Sequence, residues 1–277
     1  MTPTLVRQHP AHVRQRARVD PCARARDWSE IQERMLVPLV EAVHERLDVG
    51  AQTRLLGLGC GSGLALLMAS ARGARVTGVE SDSPELLALA RRRLLPDRAA
   101  TAPAGARLVF GSPGDAADAR TPAFTVVTAF DPVGCLAGDA RRLGERLRSA
   151  VALAARGAAV VLTGWGPPER CATSAVVRAA AGAQAGAEAR RDDLEEIAHR
   201  AGLRPDGSGR VSCPFGYAGR ESAVRGLLST GLFDGAVAAT DGTQVVKELT
   251  ESLHPYLRPD GTVWMPNIFR YLVARVP

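Results

Sequence analysis

Gly59, Gly61 and Gly63 stand at alternate positions in the stretch LLGLGCGSG, straight after an apolar run. Glu80 closes a second apolar run about 20 residues later, a spacing usual between a phosphate-site glycine loop and its ribose carboxylate. Glycines so placed let backbone graze a ligand where a side chain would stand in the way. A carboxylate at the end of the next strand can accept from two vicinal hydroxyls. Two nucleotide readings fail. The dinucleotide pattern G-x-G-x-x-G needs a third glycine, and the chain offers Ser62 counting from Gly57 or Leu64 counting from Gly59. A phosphate loop needs Gly-Lys-Ser/Thr, and the only lysine is Lys247. A plainer reading makes the glycines a tight strand-to-helix turn and Glu80 a helix-entry carboxylate. Cys60, inside the loop, reads as a small buried residue rather than a nucleophile.

These groups need elements to position them. Ile31, Met35, Leu36, Leu39, Val40, Val43 and Leu47 recur at helical spacing, predicting a helix from Trp28 to about Leu47. Residues 1–26, rich in arginine, proline and histidine, read as an arm or irregular cap. Strands are predicted at 54–57, 75–79, 107–110, 125–130, 158–163 and 210–213, with a long last one at 262–275. Helices are predicted at 64–71, 139–155 and 192–201, and another opens at Ser83 with Pro84 and Glu85 in its first turn. Short apolar strands alternating with helices predict an α/β fold, Rossmann-like and doubly wound, with a mostly parallel sheet. The organisation expected is an arm and cap helix over 1–50 and a main domain over 51–277, with a helical lid insertion at about 218–258. Sheets of this kind bind ligands outside the carboxyl ends of their strands.

The chain has 277 residues, 46% hydrophobic and 23% charged, enough for a sizeable core. Its formal charge of +6 comes almost wholly from arginine, as the codon bias of a GC-rich genome would give. The basic N-terminal cluster reads as a solvated arm, so nucleic acid is not the expected partner. Cys22, Cys60, Cys135, Cys171 and Cys213 are odd in number, spread out and without a C-x-x-C pair. That predicts no disulfide framework, no metal site and a reducing, cytoplasmic setting. No run approaches the roughly 20 apolar residues that span a bilayer, so no membrane partner is expected.

Loop, spacing, carboxylate and strand order together resemble the class I S-adenosylmethionine-dependent methyltransferases. LLGLGCGSG is similar to their first motif and VTGVESDSPELLALAR to their second, and the resemblance continues through FTVVTAF and AAVVLTGWG. MPNIFRYLVARV is similar to the final strand of bacterial small-molecule (natural-product) members. The resemblance implies a seven-stranded sheet with an antiparallel last strand and S-adenosylmethionine as cofactor. It assigns cofactor contacts to Gly59, Cys60, Gly61, Gly63, Glu80, Ser81, Asp115 and Phe130, with Gln32 reaching in from the first helix. The family usually carries an acidic residue where Gly57 stands, and Ser112 and Thr125 also occupy customarily acidic positions. Asp115 would then serve the adenine side through a shifted loop.

The Asn-Pro-Pro-Tyr tetrad of amide and nucleobase methylation is replaced by FDPVGCL after the fourth strand. TGWGPPERC after the fifth resembles natural-product enzymes, so a small-molecule acceptor is expected, with a homodimer among the arrangements allowed. Trp28, Trp165 and Asn267 are candidates for the acceptor pocket, and Asp131, Tyr217 and His254 for catalysis. Each has a plainer role open to it: strand stop, packing, or a helix-end contact. The alternative function is a ligand-binding protein of the same fold that does not methylate, either a cyclisation or rearrangement catalyst or an accessory subunit.

Overall fold

The computed structural model describes residues 20–95, 105–117, 123–181 and 194–277. Seven strands form one sheet in the order β3-β2-β1-β4-β5-β9-β6. They are β1 (Arg54–Leu58), β2 (Arg75–Glu80), β3 (Ala106–Phe110), β4 (Phe124–Val133), β5 (Ala154–Trp165), β6 (Arg204–Ser212) and β9 (Ile268–Arg275). β9 runs antiparallel between β5 and β6, and the first five strands are parallel. The doubly wound seven-stranded sheet with an antiparallel last strand is therefore present. Its order reverses between β1 and β4, which places the ligand crevice at the ends of those two strands.

Helices cover both faces. On one side Val43 of α2 (Val37–Arg46), Leu66 and Ala69 of α3 (Leu64–Ala71) and Leu94 of α4 (Pro84–Leu94) pack with Leu55, Val126 and Val161. On the other, Leu143 and Leu147 of α5 (Asp139–Val151) and Ile197 of α7 (Leu194–Arg200) pack with Leu56, Val127 and Val160. A third cluster joins Val176 of α6 (Ala172–Ala181), Leu227 of α8 (Arg220–Ser229) and Leu249 of α10 (Gly242–Ser252). With α9 (Asp234–Ala239), α8 and α10 occupy the chain between two short strands, β7 (Phe215–Tyr217) and β8 (Val263–Met265), which pair with each other.

Several expected boundaries move, each for a local reason. The helix expected from Trp28 to Leu47 is broken: Trp28–Gln32 is a π turn, Glu33–Leu36 a 3-10 turn, and only Val37–Arg46 is α-helical. Pro38 has no N–H and its ring crowds the carbonyl one turn back, so the α-helix restarts there. Of the expected arm, residues 1–19 lie outside the described residues, while Pro21–Asp27 forms α1, capped by Asp20. β4 does not stop at Asp131-Pro132; its pairing with β5 shifts register between Ala129 and Val133, and the bulge absorbs the proline. α5 ends at Val151 and β5 begins at Ala154, so the helix expected to reach residue 155 is shorter. β6 starts at Arg204, six residues early, because RPDGSGR is too polar to read as a strand but lies at the sheet edge. The long last strand is two strands separated at Pro266-Asn267, where Asn267 leaves the ladder.

His44, wholly buried on α2, meets Phe130 edge-on, and neither ring nitrogen has a hydrogen-bond partner among the described residues. Burial first, and then the charge of Arg72, push its pKa down to about 4 from 6.5. The folded state thus holds it neutral, whereas the unfolded chain takes up a proton below its ordinary value. This contribution is complete above pH 6.5 and is lost as pH falls through the window down to about 4. The loss should total about 3 kcal/mol. Denaturant titrations at pH 7 and 4.5 should show a stability drop that His44→Leu reduces; equal drops in both proteins would contradict a buried neutral imidazole.

Candidate functional site

β1 ends in a loop whose three glycines all have positive φ, 60° at Gly59, 56° at Gly61 and 84° at Gly63. Gly63 has a second constraint: a Cβ there would lie 3.0 Å from the Cβ of Ala90, so α3 could not approach α4. The loop is tied to β2 at two points. Cys60 N–H donates to the Val79 carbonyl at 3.0 Å, and Gly61 N–H donates to Glu80 Oε2 at 3.0 Å. The other Glu80 oxygen, Oε1, accepts from Asp82 N–H at 3.0 Å. Each oxygen keeps a lone pair, and Glu80 lines a cavity of about 920 Å³ at the β1/β4 switch point.

The N-terminal segment forms the opposite wall. A Cβ on Gly61 would lie 3.3 Å from both Trp28 Nε1 and Glu33 Oε1. Trp28 Nε1 is buried without a hydrogen-bond partner among the described residues. Glu33 is held by Arg93 Nη1 at 2.8 Å and by the Ser62 hydroxyl, with Leu64 N–H at 3.4 Å. Gln32 Oε1 accepts from the Tyr217 hydroxyl at 2.9 Å.

The third wall comes from the end of β4 and from α5. Asp139 accepts from the N–H groups of Gly134 at 2.8 Å, Leu136 at 3.1 Å and Ala140 at 2.6 Å, fixing the turn into α5. Arg146 forms an ion pair with Asp82 across the cavity mouth. Asp131, on the bulged end of β4, projects into the cavity, wetted by it yet surrounded by protein. The protein packed around it pushes its pKa up to about 6; Arg146 pulls it down, Asp139 and Glu80 push it further up, and Arg142 pulls it down slightly. Trp165, Phe215 and Phe269 stack as an apolar wall, with Trp165 4.6 Å from Phe269 and 6.1 Å from Phe215 between ring centres.

The cavity therefore gathers Trp28, Gln32, Gly59, Cys60, Gly61, Glu80, Phe130, Asp131 and Trp165 from the expected set. It does not gather the others. Gly63 packs α3 on α4, and Ser81 faces a separate cleft of about 270 Å³ beside Ser112 and Ser149. Asp115 turns back on Ser112, accepting from its N–H at 2.7 Å and its hydroxyl at 2.8 Å, which lowers its pKa. Tyr217 is buried behind Gln32, and burial raises its phenol pKa. His254 sits exposed on a 3-10 turn away from the cavity. Asn267 is buried and structural, accepting from Thr173 N–H at 3.1 Å and donating to the Met265 carbonyl at 3.2 Å. Thr125 lies at the far end of β4, bonded to Arg54 N–H at 3.0 Å, and so cannot mark the site. Burial pushes the Cys60 thiol up to about 12, with Glu80 and Glu33 adding, so it stays protonated. Glu33, Asp82, Asp139 and Arg146 were missed, and helical periodicity treats such residues as solvated face.

Seven carboxylates and three guanidiniums line the cavity, a wall of net negative charge. Two of the guanidiniums are already paired, Arg146 with Asp82 and Arg24 with Asp234. Such a wall suits a cationic ligand.

No protein-family model and no curated protein matches this chain. Solved structures do. A candidate methyltransferase from Bacillus halodurans C-125 superposes with a TM-score of 0.54 at 14% identity, over 86% of this chain and 98% of that one. YjhP from E. coli gives 0.52 at 17%, over 92% and 99%. The YcgJ protein from Bacillus subtilis gives 0.51 at 14%, over 89% and 100%. At these identities the likeness shows the fold alone, a Rossmann-like doubly wound sheet.

Gly57 lines the cavity, but the room for a side chain there is filled: a Cβ would lie 2.9 Å from Leu66 Cδ2. Gly57→Asp should therefore lower stability by about 1–3 kcal/mol through crowding alone. Combined with Leu66→Ala, it should cost less than the sum of the two single changes. Thermal melts of the three variants check this, and strict additivity would mean that Leu66 is not what excludes the carboxylate.

Proposed function

We propose that this protein is an S-adenosylmethionine-dependent methyltransferase acting on a small-molecule acceptor. The observation that carries the reading is Glu80, buried at the end of β2, gripping the glycine loop and facing a negatively charged cavity. The residues fit the cofactor group by group. Glu80 has lone pairs for the ribose hydroxyls. The Trp28 indole N–H, a buried donor without a partner, suits the methionyl carboxylate, and Glu33 Oε1 suits the ammonium that Gly57 cannot hold. The cleft at Ser81, Gly111 and Ser112 has room for a flat base.

A bound cofactor would supply an electrophilic methyl group for transfer to the acceptor. The chain's part is alignment and exclusion of water. Trp165, Phe215 and Phe269 give the acceptor a dry wall. The helices between β7 and β8 act as a lid, tied to α1 by Arg24–Asp234 at 2.9 Å and by Arg225 with Asp27. Pockets for one small ligand run about 300–1,000 Å³, so 920 Å³ sits at the upper end and suits cofactor and acceptor together.

Calorimetry with S-adenosylmethionine tests the reading. Gly61→Val should abolish binding, since a branched side chain would fill the gap to Trp28 and Glu33. Glu80→Ala should weaken binding by about tenfold or more, roughly 1.4 kcal/mol. A wild-type protein that ignores the cofactor, or folded variants that bind it unchanged, would overturn the site. Binding without transfer of labelled methyl to any acceptor would favour the non-methylating alternative.

A further inference from the structure

Among the carboxylates of the cavity, Asp131 stands apart. Glu80 is engaged by two backbone N–H groups, Asp139 by three or more, Asp82 by Arg146, Asp234 by Arg24 and Glu33 by Arg93. Asp131 has no hydrogen bond and no ion pair with the described residues, although the bulge in β4 aims it into the cavity. Asp131 is exposed to the open cavity, so water alone satisfies it until a ligand supplies a partner. Its charged neighbours do not. Arg146 is committed to Asp82, Arg142 lies exposed on the next turn back along α5, and Asp139 and Glu80 repel it. The same cavity carries the apolar wall of Trp28, Phe130, Trp165, Phe215, Leu232 and Phe269.

We propose that Asp131 anchors the acceptor, and that the acceptor is an amine on an apolar body, held as its ammonium against the carboxylate. Three features favour an amine over an alcohol or an acid. The vacancy at Asp131 is one of charge, which a hydroxyl fills only in part. The wall is net negative even with its paired groups counted, so a carboxylate or phosphate on the acceptor is repelled. The aromatic rings welcome a cation and its hydrocarbon body alike. Asp131 has a second use. An ammonium has no lone pair, and transfer of one proton from nitrogen to an Asp131 oxygen restores it: one N–H bond breaks, one O–H bond forms, and no other group changes charge. The raised pKa of Asp131 shortens that proton's climb.

The inference rests on the methyltransferase reading only for the fate of the amine; the binding stands on Asp131 alone. The test uses the full chain without cofactor, titrated calorimetrically with 2-phenylethylamine and octylamine and with their isosteres 2-phenylethanol and 1-octanol. The amines should bind about tenfold or more tighter than the alcohols, and Asp131→Asn should remove that difference while leaving alcohol affinity unchanged. Amine affinity should also fall as pH drops below about 6, where Asp131 takes up a proton, and this pH dependence should vanish in Asp131→Asn. A melting curve verifies folding, and Asp131→Ser serves as a second variant should Asp131→Asn fail to fold. Absent amine binding, equal affinity for amines and alcohols, or unchanged amine affinity in a folded variant would overturn the proposal. S-adenosylmethionine titrated into the same preparation separates the two readings. Amine binding without cofactor binding sinks the methyltransferase reading alone, and cofactor binding without amine selectivity sinks this one alone.

Discussion

The site hangs on one carboxylate gripping two backbone amides. Glu80 takes the N–H of Gly61 with one oxygen and that of Asp82 with the other, and so fastens the end of β1 to the end of β2. Charge-assisted bonds of this sort are stronger than neutral ones, and this one is buried. The positive φ of the loop glycines would be easily relaxed in a free peptide; Glu80 fixes it and keeps the loop open toward the cavity. Asp82 is held facing Arg146 by the same contact, so the α5 wall is positioned from β2 as well.

Around that clamp the cavity sorts its charges by whether the fold already satisfies them. Asp139 fixes a turn, and Glu33 joins Arg93 and Ser62 through Oε2 while Oε1, with only a 3.4 Å bond from Leu64 N–H, stays open to a ligand. Among the described residues, the groups facing the cavity without protein partners include the Trp28 indole N–H, the spare lone pairs of Glu80, the Arg142 guanidinium and the Asp131 carboxylate. Such groups are where ligand free energy is available, most of all the Trp28 indole N–H, whose desolvation has already occurred.

The sheet was legible because its signals are local and periodic: apolar strands, glycines at turns, and Ser83 with Pro84 opening α4, where the Ser83 hydroxyl accepts from Leu86 N–H at 3.1 Å. The glycine loop and Glu80 were legible for the same reason, since their geometry is carried by residue type and spacing. What failed was long-range. Nothing near Asn267 announces that it bonds Thr173, whereas Asp115 closing on Ser112, three residues before it, is a local capping box. Glu33, Arg93 and Ser62 come from three separate elements, and only tertiary packing makes them one network. β6 was missed over most of its length because an edge strand with one wet face needs little hydrophobicity.

The broken N-terminal segment has a consequence for the order in which the molecule is made. Asp27 pairs with Arg225, and Ile31 and Gln32 pack under Gly226, where a Cβ would lie 2.9 Å from Ile31. These partners are separated by nearly two hundred positions, so residues 21–36 leave the ribosome long before anything exists for them to dock on. During that interval Trp28, Ile31 and Met35 lack the later part of their apolar cluster, Phe215 to Phe269, while β1 to β5 can already pair. The five parallel strands are thus an early product of synthesis, and β6, β9 and the cavity late ones. A chain cut short before α8 would keep its glycine loop and Glu80 but leave its first helical turns exposed and sticky, a substrate for chaperones rather than a partly active protein.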